Sequence, residues 1–486
     1  MCRRVRSGIR SPETTVRASY ARWRPAIAGA RRAAASVALV ALFVFLAGAA
    51  AADSAPDLAA RGYELTDCIR AALTNSPDLG TAAADLTLAR ARLGEAKAGR
   101  YGQGEFNEVL GFVNQARGTV QDSPDNKNAM LNALGPFTRL DLAINVPLWT
   151  FGKLDAALAA AQAGLEEEHA HGEVKRAEVV LSTKQLFYGL QLSRQLSLVL
   201  HDMLDTMDKA VKKTQERLDA KTTSVSEIDL LKLKTGRAKF AKGVLEVDAS
   251  TELTRSALAR AVGVDVDTFH ITDAKLQPVE ASIGRLDEYL EEGPGHRPES
   301  QQIATGITAQ SAKLDLERAD YYPSLFFSTG LQYAYAANRQ NQTNPFASDE
   351  FNYLRPVGVV GIHWNLSFAT TNAKVEAARA NLERLEALKR EAASGLLLEI
   401  RRAYSDVNQG RQTIAATEEG RKAGRGLLIL SLTNFDLGLG DAEELFKGLG
   451  TYTEASSDYL RAVHDYNVAV AALSKAVGKE LTPLQY

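Results

Sequence analysis

Cysteine is almost missing from this chain: Cys2 and Cys68 are the two it has. Cys2 lies in a leader expected to be removed, which leaves Cys68 without a partner, so no intramolecular disulfide holds the fold. Long apolar runs are also missing. After residue 52 nothing approaches the ~20 apolar residues that a membrane-spanning helix needs. If the chain crosses a bilayer, it must do so as β-strands, which satisfy their backbone groups by pairing. A charge excess is missing too: 57 basic side chains face 59 acidic ones, for a formal net charge of −2. No basic stripe with interleaved aromatics stands out, which argues against nucleic acid as a partner. The seven histidines are scattered. His169 and His171 are two apart, about 200° around a helix, and cannot share a metal. With no phosphate-cradling glycine loop and no nucleophile–base arrangement, no catalytic, cofactor-binding or metal residue is expected.

What the chain does have begins at its N-terminus. Met1 to Arg32 is rich in arginine, with Glu13 as its one acid, and an apolar run from Ser36 to Leu46 leads into Ala47-Gly48-Ala49-Ala50-Ala51-Ala52. A basic region, an apolar stretch of about a dozen residues and a small-residue exit form the pattern of a secretory signal. Residues 1–52 are therefore expected to be a signal peptide, and no cysteine stands at the exit to take a lipid.

The remainder repeats itself. Pro77-Asp78-Leu79 overlays Pro298-Glu299-Ser300, and Ala91, Leu93, Ala98 and Tyr101 overlay Ala312, Leu314, Ala319 and Tyr322 at the same spacing. Lys153-Leu154 overlays Lys374-Val375, and Leu258-Ala259-Arg260-Ala261-Val262-Gly263 overlays Leu473-Ser474-Lys475-Ala476-Val477-Gly478. An ordered series of matches at a nearly constant offset is the signature of internal duplication. The expected division is a first repeat at 53–263, a connector at 264–297, a second repeat at 298–478 and a tail at 479–486.

Each half reads helix, strand, strand, long helix, helix. Residues 65–100 carry Ala and Leu at three-to-four spacing, with a break at Asn75-Ser76-Pro77. Residues 153–219 run without proline and are rich in Ala, Leu, Glu, Lys and Gln, as a coiled-coil helix would be. A returning helix is expected at 225–262. In the second half the helices are expected at 373–436, weakened by Gly410, Gly420, Gly424 and Gly426, and at 441–477. Between the helices lie four stretches with apolar side chains at every second position: 104–114, 138–149, 325–335 and 360–368. In the second of these, Leu140, Leu142, Ile144, Val146 and Leu148 alternate with Arg139, Asp141, Ala143, Asn145 and Pro147. Glu108 interrupts the apolar face of the first. A period of two suits a half-buried soluble sheet or a lipid-facing barrel. The strands have the roughly 9–11 residues that a tilted membrane strand needs. Trp149, Tyr321, Tyr322, Tyr353 and Trp364 are candidates for the lipid interfaces.

Four strands cannot close into a barrel, and an open edge in lipid costs several kcal/mol per unpaired group. Several copies must then share one wall. At this point the chain resembles the TolC-like outer-membrane efflux proteins. The resemblance rests on Leu65-x-x-Cys68-x-x-Ala71-Ala72-Leu73-x-Asn75-x-Pro77, on Arg297-Pro298-Glu299, on Glu317 to Leu325 and on Val146 to Lys153. It implies a mainly α protein with membrane β: long coiled-coil helices plus four strands per protomer. In a homotrimer these build a twelve-stranded β-barrel in outer-membrane lipid, continued by a twelve-helix periplasmic tube. It also implies an exit duct of a tripartite efflux or type I secretion system. Such a duct is non-enzymatic and conducts cargo from a periplasmic adaptor (membrane fusion) protein and an inner-membrane pump. The competing reading is a non-pore coiled-coil scaffold of the cell envelope. Two departures stand out: Arg100-Tyr101-Gly102-Gln103 replaces a proline before the first strand, and Trp364 to Asn372 lacks the Pro and Gly-Gly that usually follow the last.

The helix breaks at 219–226 and 436–441 are expected to form the periplasmic tip. There Glu444, Glu227, Asp441 and Glu443 are candidates for the pore entrance, since three copies of a carboxylate in a narrow lumen attract cations and repel anions. The same acids would also simply favour a helix N-terminus. Lys447 and Gly440 stand where the resemblance implies an acid and a basic gate residue. The turns at Lys221 and Thr222 and at Gly438 and Leu439 are the candidate adaptor contacts.

Overall fold

The computed structural model describes residues 62–115, 134–220, 226–272, 275–342, 346 and 348–483. The expected signal peptide, together with residues 116–133, Lys221 and Thr222, lies outside them. Helices α1 (Leu65–Asn75) and α2 (Pro77–Ala98) meet at Ser76. There the Ser76 N–H closes α1 on the Ala72 carbonyl, and Pro77 opens α2 at the position where its missing N–H is not needed. Strands β1 (Gln103–Asn114) and β2 (Leu134–Trp149) lead into α3 (Lys153–Asp219), and α4 (Glu227–Val262) returns beside it. The connector contains α5 (Leu286–His296), and after it come α6 (Pro298–Ala319), β3 (Ser324–Ala336), β4 (Tyr353–His363), α7 (Phe368–Leu437) and α8 (Ala442–Val477). The order helix, strand, strand, long helix, helix thus occurs twice. No described helix is long and apolar enough to cross a membrane.

With 67 and 70 residues, α3 and α7 each extend roughly 100 Å. Their buried positions step by three and four. On α3 they include Phe187, Leu190, Met203, Met207, Ala210 and Thr214; on α7, Gly424, Leu428, Ser431 and Phe435. That stepping is the seam of coiled-coil packing. The glycines of α7, expected to weaken that helix locally, lie inside its unbroken span. A Cβ on Gly410 would sit 3.2 Å from the Tyr466 Cα, and one on Gly424 would sit 3.4 Å from the Tyr452 Cα. These two glycines let α8 approach closely, and tertiary packing outweighs their poor helix propensity.

Halfway along the coil, the connector, α1 and the tail surround two cores. One joins Cys68, Phe187, Tyr188, Leu258 and Phe269; the other joins Ile400, Val407, Tyr466 and Leu473. Arg297, with a side chain only 2% exposed, donates to Glu299 at 2.9 and 3.2 Å and to Glu399 on α7 at 2.5 Å. Lys475 of α8 lies 3.7 Å from Glu299. The buried guanidinium therefore joins the start of α6 to α7, and Lys475 extends the link from Glu299 to α8.

The four strands form one antiparallel sheet in chain order, so β1 and β4 are its edges. The register sets Phe106, Leu142 and Leu331 in one row and Glu108, Leu140, Tyr333 and Leu354 in the next. Phe112, Leu110, Ile144, Tyr335, Val360 and Ile362 share that face, and most of its large side chains are exposed. The other face carries Asn107, Asp141, Gln332 and Arg355 in a single row, above Asn145 and Ser328.

Two expectations need correction here. β4 spans Tyr353–His363 rather than 360–368, because Trp364 donates its indole N–H to the Tyr321 carbonyl and Asn365 accepts from the Ser367 N–H, turning the chain into α7. Tyr353 lies on the polar face, opposite Ala334 and against the Arg355 guanidinium at 4.0 Å, and not on an apolar rim. The aromatic rim that does exist sits where strands become helices, with Trp149, Phe151 and Tyr322 in contact and Trp364 against Phe368. Gly102 takes over the turn that lacks its proline: at φ +81° any Cβ would collide with the Asn145 carbonyl.

Candidate pore entrance

The end of the coil farthest from the sheet is built by α3, α4, α7 and α8 around Met203, Met207, Leu233, Phe240, Phe435, Leu445 and Leu449. Phe446 meets the Phe240 ring edge-on at 6.2 Å. α7 stops at Gly438, whose φ of 75° is open to glycine at little cost. The N–H groups of Leu439 and Gly440 then fold back onto the Asn434 carbonyl at 2.8 and 3.1 Å. This leaves Leu437 and Leu439 on the outside of the turn, Leu439 with 78% of its surface in solvent.

The four candidate acids occupy different situations. Asp441 is the N-cap of α8, accepting from the Glu444 N–H at 2.7 Å, so its carboxylate serves the helix end. Glu443 accepts from Lys232 of α4 at 2.8 Å, and that hydrogen bond and charge raise the Lys232 ammonium above its ordinary value. Glu444 is exposed one turn from the Gly440 backbone. Glu227 is exposed at the first position of α4, where Ser226 and Asp229 bond reciprocally as a capping box at 3.0 and 3.2 Å. Glu444 and Glu227 are thus the two whose carboxylates face solvent without a capping or cross-helix bond among the described residues. Of the candidate adaptor contacts, Gly438 and Leu439 form the exposed turn, while Lys221 and Thr222 lie outside the described residues.

The strongest links at this end come from residues that sequence reasoning did not single out. Arg217 of α3 donates to the carbonyls of Phe435 and Asp436 at 3.1 and 2.8 Å, with its guanidinium 5.7 Å from the centre of the Phe435 ring. Lys213, one turn earlier on the same face, reaches the Asp436 carboxylate at 2.7 Å and its carbonyl at 3.3 Å. The last carbonyls of a helix lack intrahelical partners and carry partial negative charge. Two cations from the first hairpin therefore cap the C-terminus of the long helix of the second. The signal was present as a Lys–Arg pair at i, i+4 facing a helix end, but nothing in one sequence says which helix end it meets. Among the described residues no group of three His, Cys, Asp or Glu side chains is placed to hold a metal.

Comparison with known proteins places this geometry. Residues 294–479 match the family described as outer membrane efflux protein. Protein CyaE of Bordetella pertussis is 25% identical over 436 residues, covering 88% of this chain and 85% of that protein. The outer-membrane channel OprN has the same fold at a TM-score of 0.68 and 18% identity, covering 86% of this chain and 91% of its own. The outer membrane protein VceC of Vibrio cholerae aligns at a TM-score of 0.64 and 19% identity, with 86% and 96% covered.

Proposed function

We propose that the chain, whose residues 294–479 match the outer membrane efflux protein family, assembles in three copies as the exit duct of a tripartite efflux or type I secretion system. It works in the outer membrane and extends into the periplasm. The observation that carries the trimer is the sheet. One face is apolar and exposed over four strands of 11–16 residues, while both edges lack a partner strand among the described residues. A lone copy in lipid would leave a row of backbone groups unpaired along β1 and another along β4, at several kcal/mol each. Pairing β1 of one copy with β4 of the next removes both rows, and three copies of four strands close a barrel of twelve. The polar row of Asn107, Asp141, Gln332 and Arg355 then faces the lumen.

Below the barrel, each copy supplies two long helices, with the shorter ones running beside them, to a tube of twelve helical strands. The recurring element order supports an origin by duplication. The duct catalyses nothing; an inner-membrane pump and a periplasmic adaptor drive the cargo through it, and the adaptor docks on the turns at Lys221 and Thr222 and at Gly438 and Leu439. Arg217 and Lys213 hold the second hairpin against the first and keep the entrance narrow. Glu444 and Glu227 give the narrowed entrance a negative ring that favours cations. The test is extraction and conductance. The mature protein should partition with outer membranes, require detergent, run as a trimer and form cation-selective channels in planar bilayers. A detergent-free periplasmic monomer would instead establish the scaffold reading.

A further inference from the structure

The outer end of the sheet carries an inconsistency in side-chain size. On its polar face stand Gly135, Ala334 and Ala336, yet Ala334 and Ala336 are each only 1% exposed and Gly135 is buried. The two flanks of the β3–β4 connection, residues 337–342 and 348–352, cover them. Asn338 lies directly over Gly135, where no Cβ could fit, and donates to the Val113 carbonyl at 3.0 Å. Phe351 meets Phe137 edge-on at 5.7 Å, and the Arg339 guanidinium stacks 3.7 Å above the Phe351 ring.

Local polar contacts fix the flanks in this position. Asn352 accepts from the Ala336 N–H at 2.7 Å and donates to the Arg339 carbonyl at 2.9 Å, tying one flank to the strand and to the other flank. Asp349 accepts from the N–H groups of Gln342, Phe351 and Asn352 at 2.7–2.9 Å, and its carbonyl accepts from Arg355 of the polar face at 2.6 Å. Phe137, Arg355, Ala334 and Ala336 all belong to the face opposite Leu140, Leu142 and Tyr333. The two flanks therefore fold inward onto the lumenal side, leaving the apolar face bare.

We propose that these inward-folded flanks form a second, outer constriction of the duct, in which Asn352 and Asp349 hold Arg339 and Phe351 across the mouth and set the size of what leaves. The inference rests on the trimeric barrel proposed above. Twelve strands about 4.8 Å apart and tilted by about 40° give a backbone radius near 12 Å. Gly and Ala alone at this level would leave most of that radius open. A chain segment packed on a sheet stands on the order of 5–10 Å from it, so three segments reduce the free radius to roughly 2–7 Å. Large cargo then needs the flanks to swing away, which breaks the Asn352 and Asp349 bonds and leaves the strands intact.

Cysteine labelling from outside intact cells tests this independently of the periplasmic tip. Ser328→Cys places a thiol on the lumenal face, eight residues inward of Ala336, and Cys68 is too buried to add background. A small cationic methanethiosulfonate should label it. A bulky polyethylene-glycol maleimide, which cannot reach the periplasm, should not. Adding Asn352→Ala removes two hydrogen bonds from the closed mouth and should speed bulky labelling by about tenfold or more. Arg339→Ala/Phe351→Ala, which leaves the Asn352 bonds in place, should do the same by removing bulk. Equal bulky labelling in the parent and both variants, with trimers intact, overturns the constriction alone. If even the small reagent fails in every variant, Ser328 does not line a water-filled lumen, and the duct reading falls together with this inference.

Discussion

Replacing Arg217 by alanine should open the periplasmic end, and the size of the effect follows from what Arg217 touches. Its guanidinium donates to two carbonyls at the terminus of α7, Phe435 and Asp436, and partly covers the Phe435 ring. A hydrogen bond from a charged donor contributes about 1.5–3 kcal/mol, and the lower figure applies at a half-exposed helix end. Two such bonds give about 3 kcal/mol. If they exist only while the second hairpin rests against the first, losing them shifts the closed–open equilibrium roughly 150-fold. An entrance open about 1% of the time would then be open for about 60%.

Single-channel recording of purified trimers in planar bilayers measures this directly as open probability. Arg217→Lys puts a single ammonium nitrogen on a shorter side chain in place of the two-pronged guanidinium and should produce about half the free-energy change, an opening of roughly tenfold. Asp436→Asn removes the Lys213 carboxylate partner but leaves both carbonyls in place. Because that ion pair is solvent-exposed, it should shift the equilibrium by no more than about fivefold. The order Arg217→Ala, then Arg217→Lys, then Asp436→Asn is the content of the prediction. If Arg217→Ala trimers stay within twofold of the parent, the helix-end clamp does not gate the duct. If Asp436→Asn opens it as far as Arg217→Ala does, the exposed ion pair and not the carbonyl cap controls the entrance.

Other expectations concern the coil. Arg297→Ala leaves Glu299 half-paired and should cost about 2–4 kcal/mol, seen as a lowered melting temperature, whereas Arg297→Met/Glu299→Gln should recover most of it. Burial alone would raise the Glu299 carboxyl, but hydrogen bonds from Arg297 and its own N–H, with the charges of Arg297 and Lys475, hold it below the usual range. Its contribution is then complete above an unfolded value of about 4.3 and lost as pH falls through the lower folded value, so the melting gap between parent and Arg297→Ala should close in acid. Burial, with the Asp67 charge adding to it, pushes the Cys68 thiol up to about 12, so maleimide should modify the mature protein only after unfolding. Gly410→Leu should force α7 and α8 apart and cost at least about 1–3 kcal/mol, while Gly420→Ala and Gly426→Ala, which meet nothing, should each stabilise by roughly 0.5–1 kcal/mol in denaturant melts.

How much of this was readable in the sequence depends on how local the cause is. The long helix to Asp219 and the cap at Gly438 were legible because composition and one permissive glycine decide them. The strand faces were legible because a period of two leaves one pattern. The end of β4 was not: the alternation continues through Trp364, Leu366 and Phe368, and only the indole bond to Tyr321 shows that the ladder has stopped. Gly410 and Gly424 read as weak points because intrinsic propensity is visible in a sequence and the closeness of another helix is not. Arg217 was passed over for the same reason, since its partners are backbone carbonyls, which every sequence has everywhere, and the Lys213 partner, Asp436, lies 223 residues away.

The acids at the tip show why position alone does not assign a role. Asp441, Glu443, Glu444 and Glu227 all sit in the first turn of a helix or cap it, and any of them would be favoured there by the helix dipole. What separates them is the second partner. Asp441 is committed to the Glu444 N–H and Glu443 to Lys232, so neutralising either would disturb a helix start or a cross-helix pair as well as the charge of the lumen. Glu444 and Glu227 lack such a bond among the described residues, so Glu444→Gln and Glu227→Gln change charge with little else. A cation preference that falls with these two substitutions, while trimer stability holds, assigns the ring to solvent-facing carboxylates. A preference that moves only with Asp441→Asn would instead trace it to the helix end.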